Sequence, residues 1–204
     1  QFGPGEDFSR YPRHLERDVA LASEAGAKIV FAPEVSTMYP PGEQTRVRVP
    51  RVSQGLCGAS RPRHFEGVAT VVTKIFNLIG PGRYYFGKKD YQQWRRIETM
   101  ARDLMLPVKV VAMPIVREPD GLAMSSRNAY LSREQRKSAL SLSSGLKKAL
   151  TEFRAGSREP LRLKELVQQE LAAAEVETEY VEVRDAATLE PVGVNLSQAE
   201  AVLL

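Results

Sequence analysis

The sequence predicts a doubly wound α/β domain followed by a small α+β domain, divided as residues 1–122 and 123–204. Three observations carry that expectation. Helical periodicity gives way to a short apolar run within residues 15–32, the succession that marks α/β proteins. Strand-like stretches at residues 83–86 and 107–113 alternate with helical ones. Around residues 118–128 the character changes, and two long amphipathic helices and two short strand-like runs follow.

The elements follow in order. Leu15, Val19 and Ala22 recur at i, i+4 and i+7, and Gly26 stands where a C-cap belongs. Residues 27–32 then read as a short buried strand stopped by Pro33. Residues 37–64 hold Pro40, Pro41, Pro50, Pro62 and many arginines. They read as a long loop with at most one edge strand, and loops of that length are usually functional or mobile. An apolar helix is expected over 65–79, ended by Gly80-Pro81-Gly82, and an aromatic strand over 83–86. The next helix, 91–104, places Trp94, Ile97, Ala101 and Leu104 on one stripe before the strand at 107–113. Asp120-Gly121 is a turn signal. Ser132 and Gln135 suit a capping box for a helix to about Phe153, with Leu142, Leu146, Ala149, Leu150 and Phe153 inward. Pro160 is placed to start a helix bearing Leu163, Leu166, Val167 and Leu171, and residues 179–184 and 201–204 look like strands.

Composition narrows the function classes. With 43% hydrophobic and 26% charged residues, the 204-residue chain is an ordinary globular sequence. Its net charge of +4 suits a small anionic substrate and is too small to argue nucleic acid. The single cysteine, Cys57, excludes an internal disulfide and points to a reducing, cytoplasmic setting; it reads as a small buried residue rather than a nucleophile. No apolar run approaches the ~20 residues that span a bilayer. The sequon Asn195-Leu196-Ser197 is read as chance, and the opening Gln1-Phe2-Gly3 reads as the middle of a longer protein.

Two segments carry the chemistry: Phe86-Gly87-Lys88-Lys89-Asp90-Tyr91-Gln92-Gln93 and Gly121-Leu122-Ala123-Met124-Ser125-Ser126-Arg127-Asn128. Each joins a small residue and exposed backbone N–H groups to a permanent cation, a set suited to phosphate. In the first, Gly87 lets backbone approach a ligand, and Lys89 is aimed at the carboxyl edge of the sheet, where ligands of open α/β sheets bind. Asp90 and Gln93 have capping-box spacing, so a purely structural role is equally available to them, with Lys88 as a solvated cation. In the second, Ser125, Ser126 and Arg127 offer two hydroxyls, free amides and a bidentate fork matched to pyrophosphate. Its bland alternative is a capped polar linker. Both segments together favour a nucleotide-using enzyme.

Further motifs resemble one family. Gln1-Phe2-Gly3, Met38-Tyr39-Pro40, Leu56-Cys57-Gly58, Arg61-Pro62-Arg63-His64-Phe65, Gly67-Val68-Ala69-Thr70-Val71-Val72 and the two grips occur in the order seen in the pantothenate synthetase (pantoate–β-alanine ligase) family. The resemblance is very specific over residues 1–131 and rests on element order alone beyond about residue 150. It implies a Rossmann-like, nucleotidyltransferase-type parallel sheet and an acyl-adenylate reaction. Pantoate would attack the α-phosphate of ATP with Mg²⁺, and β-alanine would then attack pantoyl adenylate, giving pantothenate and AMP.

Carried over by motif, Gly87, Lys88, Lys89 and Asp90 line the ATP site, with Lys89 on the phosphates. The resemblance further implies that Val116 would meet adenine through its backbone, and that Met124, Ser125, Ser126 and Arg127 would close over the triphosphate and stabilise the departing pyrophosphate. By the same resemblance Gln1 and Gln93 would bind pantoate, Gln1 would also face β-alanine, and His64, Arg61 and Phe86 would help form the pantoate pocket. Lys88 stands where many members have an acid, and Arg17 beside Asp18 departs from an acidic, metal-binding pattern, so no protein metal ligand is assigned. The resemblance also implies a cytoplasmic homodimer with small-molecule substrates and neither nucleic-acid nor membrane partners. Family members begin with a strand and a turn carrying H-x-G-H, which this sequence does not show. The expected sheet is therefore incomplete, lacking its first strand–helix unit, and the chain alone is expected to have little or no activity. Two other readings compete: a non-catalytic nucleotide-binding or dimerisation piece, and an RNA-binding module suggested by Arg95, Arg96, Arg102, Arg133 and Arg136 but opposed by interleaved acids.

Overall fold

The computed structural model describes residues 2, 6–61, 63–197 and 200–204. Its helices are α1 (Leu15–Glu24), α2 (Val35–Met38), α3 (Cys57–Ser60), α4 (His64–Ile79), α5 (Tyr91–Asp103), α6 (Arg133–Arg154) and α7 (Pro160–Ala173). Its strands are β1 (Gly82–Gly87), β2 (Val108–Met113), β3 (Val183–Asp185) and β4 (Ala201–Leu203). The fold is mixed α/β with a small C-terminal domain.

β1 and β2 pair in parallel, with Tyr84 opposite Val110 and Phe86 opposite Ala112, and α5 makes the crossover that parallel strands require. Aromatic residues fix this layer. The Phe76 ring of α4 lies 4.3 Å from Tyr84 and 6.3 Å from Phe86, and the Tyr84 hydroxyl donates to Gly80 O at 2.7 Å. Gly80, at φ +87°, ends α4 in a conformation that a side chain would resist. Val68, Ala69, Phe76, Ile97, Met100 and Ala101 form the core between α4 and α5. A second core joins Ala149 of α6 to Leu163, Val167 and Leu171 of α7 and Val183 of β3. β3 and β4 pair antiparallel. The expected capping box of α6 is present, Ser132 accepting from Gln135 N and Gln135 from Ser132 N.

Several expectations are corrected. Residues 27–32 form no strand: no described strand pairs with them, and Ile29 is 86% exposed. α1 forms where periodicity put it, but buries none of its residues. Leu142 and Leu150 are exposed, because α6 meets a partner only on a narrower stripe, and Leu104 is exposed because α5 ends one residue before it. The strand expected over 179–184 shrinks to β3. Cys57 is half-buried.

The long 37–64 segment holds the end of α2, all of α3 and a 3₁₀ turn at Arg51–Ser53, with no edge strand among its described residues. It is docked rather than loose. Met38, Val49, Val52 and Leu56 are buried, Val47 N donates to Thr70 Oγ1 at 3.0 Å, and Gln92 Nε2 donates to Val52 O at 3.1 Å.

Candidate active site

The two grips meet. A cavity of about 860 Å³ is lined by Lys89, Asp90 and Gln93 from the first and Met124, Ser125, Ser126 and Arg127 from the second. Arg61 and His64, from the turn before α4 and its first residue, complete the wall. Nine sequence-expected residues thus share one space.

Local structure explains the placement. β1 ends at Gly87, a 3₁₀ turn spans Lys88–Asp90, and α5 opens at Tyr91. A Cβ at Gly87 would meet nothing within 4 Å, so the chain is uncrowded there, but Gly87 itself does not line the cavity. Lys89 Nζ lies 3.5 Å from the Asp90 carboxylate. Asp90 sits at the N-cap without a side-chain capping bond, so the structure leaves its carboxylate to the lysine, not to the expected capping box. Successive helical residues diverge by ~100°. Gln93 therefore faces the cavity, while Gln92 turns to the 37–64 segment through Val52 O and Gly55 O.

The second grip hangs from a tight turn. Gly121 takes φ +98°, and Asp120 accepts from Leu122 N at 3.1 Å. That backbone bond first, and the Arg136 guanidinium second, hold the Asp120 carboxyl below its usual range. Arg136 also donates to Glu118 at 2.6 Å, tying α6 to this turn. Ser125 Oγ accepts from Arg127 N at 3.2 Å, capping the 3₁₀ turn Ser126–Tyr130. One hydroxyl and one amide expected to be free are thus already paired with each other.

The segment before α1 closes the cavity. Arg127 donates to Asp7 through Nε and Nη2, both at 2.8 Å, and its guanidinium lies 5.1 Å over the Tyr11 ring. Asp7 is pulled below its usual carboxyl range chiefly by that bond, and Arg127 is raised by the same partner. Glu6 engages Arg61 in the same two-pronged manner. Tyr130 Oη donates to Arg10 O at 2.8 Å. Adjacent acids therefore hold two of the cations expected to take substrate anions.

Other expected residues lie elsewhere. Phe86 packs in the core beside Phe76, because alternation turns it inward. Lys88 stands 5.7 Å over the Trp94 ring, outside the cavity lining. Val116 is exposed, and its carbonyl accepts from Met124 N at 3.0 Å. Gln1 and its expected contacts lie outside the described residues. Sequence reasoning missed Tyr11, His14, Arg17, Asp18 and Glu118 in the wall. His14, Arg17, Asp18 and Leu21 follow i, i+3, i+4, i+7 spacing, a signal obscured by reading α1 from its apolar residues alone.

Among the described residues no three His, Cys, Asp or Glu side chains gather as a metal site, and no helix is long and apolar enough to cross a membrane.

Known proteins resemble this chain in sequence and fold. A family model described as pantoate-beta-alanine ligase matches residues 1–204. Pantothenate synthetase of Moorella thermoacetica is 53% identical over 192 residues, 94% of this chain and 68% of that protein. The Myxococcus xanthus pantothenate synthetase is 57% identical over 192 residues, with 94% and 66% covered. The crystal structure of pantothenate synthetase from Thermus thermophilus superposes with a TM-score of 0.93 at 46% identity, covering 100% of this chain and 74% of that one. A Francisella tularensis pantoate-beta-alanine ligase, complexed with beta-gamma ATP and beta-alanine, shares the fold at a TM-score of 0.71 and 24% identity, with 97% and 71% covered. The chain belongs to the pantoate–β-alanine ligase family.

Proposed function

We propose that this cavity is the nucleotide- and pantoate-binding site of a ligase that joins pantoate to β-alanine through pantoyl adenylate. The observation that carries the reading is the convergence of both grips and of Arg61, His64 and Gln93 on one cavity. A pantoate carboxylate oxygen bonds to the α-phosphorus of ATP, and the bond to the pyrophosphate oxygen breaks. The β-alanine nitrogen then bonds to the acyl carbon, AMP leaves, and the amine loses a proton. There is little for the protein to do covalently, so its work is positioning and charge stabilisation.

Lys89 and Arg127 face charge building on the departing pyrophosphate, and Ser126 and the Gly87 backbone add donors. Met124 covers the bound nucleotide, while Arg61, His64 and Gln93 orient pantoate. For Arg127 and Arg61 to act, they exchange Asp7 and Glu6 for substrate oxygens, which couples substrate entry to release of the segment before α1. Val116 N–H donates to no described residue, which supports a backbone contact to adenine.

Mg²⁺ belongs to the same reading. The cavity offers scattered carboxylates such as Asp18 and Asp90 rather than a protein cage, so the ion arrives with the triphosphate, which suits its preference for phosphate and water. A domain boundary at residues 122/123 belongs to the same proposal: the α6–α7 core lies wholly beyond it, while Leu189, Val202 and Leu204 return to pack on the first core. A cytoplasmic homodimer completes the proposal, the single cysteine supporting a reducing compartment.

Saturation-transfer NMR with pantoate and a non-hydrolysable ATP analogue tests it. Pantoate is expected to bind in the presence of the analogue, and His64→Ala and Gln93→Ala to weaken pantoate while sparing the nucleotide. Competitive displacement of pantoate by the analogue would overturn the reading.

A further inference from the structure

α5 carries a charge that the first cavity does not use. Arg96 is 3% exposed, yet its Nε and Nη1 have no hydrogen-bond partner. Nη2 donates to Val49 O at 3.3 Å, and the guanidinium lies 4.2 Å over the Phe65 ring. These contacts supply packing and quadrupole attraction but no counter-charge. A buried guanidinium without an anion is costly, and burial pushes the Arg96 pKa down to about 10.

Arg96 lines a cavity of about 500 Å³ together with Arg48, Ser53, Arg63 and Glu66. Glu66 is already engaged by Arg48, whereas Arg63 forms no ion pair among the described residues. Three guanidiniums against one carboxylate leave an excess of two positive charges around a space of small-ligand size. The neighbouring residues Arg63 and His64 face different cavities, and so do Gln93 and Arg96 one helical turn apart. The second cavity is therefore adjacent to the first and separate from it.

We propose that this cavity is a second anion site, taking a small molecule that carries a phosphate or carboxylate group on Arg96, with Arg63 and Arg48 at its exposed rim. The inference stands independently of the ligase reading, because it uses none of the residues assigned to ATP or pantoate.

The test follows the Arg96 Nε–H resonance by NMR, assigned with Arg96→Lys, as inorganic phosphate or malonate is added at constant ionic strength. The two anions separate a phosphate from a carboxylate source. A saturable shift with either one is expected, unchanged in Lys89→Ala and at least about threefold weaker in Arg63→Ala, which loses a charge-assisted contact. A resonance that fails to move, moves linearly without saturating, or loses its response in Lys89→Ala overturns the proposal. If Arg96→Lys fails to fold, Arg63→Ala carries the test, read from the unfolding midpoint. Phosphate should raise that midpoint by about 2–4 °C in the unsubstituted chain and by markedly less in the variant. Equal rises overturn the proposal.

Discussion

At the residue scale, the decisive feature is competition for guanidinium groups. Asp7 holds Arg127 by two 2.8 Å bonds, so a triphosphate must displace a carboxylate before it gains that cation. Asp7→Asn is therefore expected to tighten ATP severalfold by titration calorimetry; weaker binding would show that Asp7 positions Arg127 rather than occupies it. The pH dependence has a definite sign. Because the folded-state pKa of Asp7 is lowered from 3.8, the pair's stabilisation is complete above that value and disappears as pH falls through the lowered one. Carboxyl NMR should find the Asp7 midpoint below 3.8; one above it would contradict the geometry. Residue identity singled out Lys89, Ser126 and Arg127, cations and hydroxyls beside small residues, and the structure brings all three to one cavity. The place of Phe86 was not legible, because neighbouring strand residues differ only in which face they present. The Asp7 and Glu6 partnerships span 120 and 55 positions, and no local pattern reveals such pairs.

At the element scale, periodicity located every long helix but could not say how much of each face finds a partner. α5 buries Trp94, Ile97 and Ala101 as its pattern required, whereas Leu104, one position past its end, remains exposed. The 27–32 run failed as a strand for a similar reason: an apolar run becomes a strand only where another strand accepts its hydrogen bonds. The α6–α7 pair is closer. A Cβ at Gly145 of α6 would sit 3.0 Å from the Val167 Cα and 3.3 Å from its Cγ1. Gly145→Ala gains helix propensity, yet must push two backbones apart, and is expected to destabilise by about 1–3 kcal/mol. Denaturant unfolding checks this; a more stable variant would show that α7 yields without cost.

At the scale of the whole molecule, the cavity depends on the first core. Ile97 is completely buried between α4 and the β1–β2 pair, on the helix whose first turns present Gln93. Ile97→Ala is expected to cost about 2–5 kcal/mol in thermal or denaturant unfolding and to loosen the first grip with it. A loss below about 1 kcal/mol would mean that the site is held by its loops instead. The central claim is that two grips, separated in sequence, form one triphosphate site. The most direct measurement is calorimetry of this chain with Mg·ATP, beside Lys89→Ala, Arg127→Ala and Lys88→Ala. The account predicts saturable binding that weakens about 10- to 100-fold in each of the first two variants, the cost of one charged hydrogen-bond partner. Lys88→Ala, whose cation stands over Trp94, should change affinity by less than about threefold, the limit set by a screened surface charge. Loss of affinity in Lys88→Ala with no change in Lys89→Ala and Arg127→Ala would contradict the account.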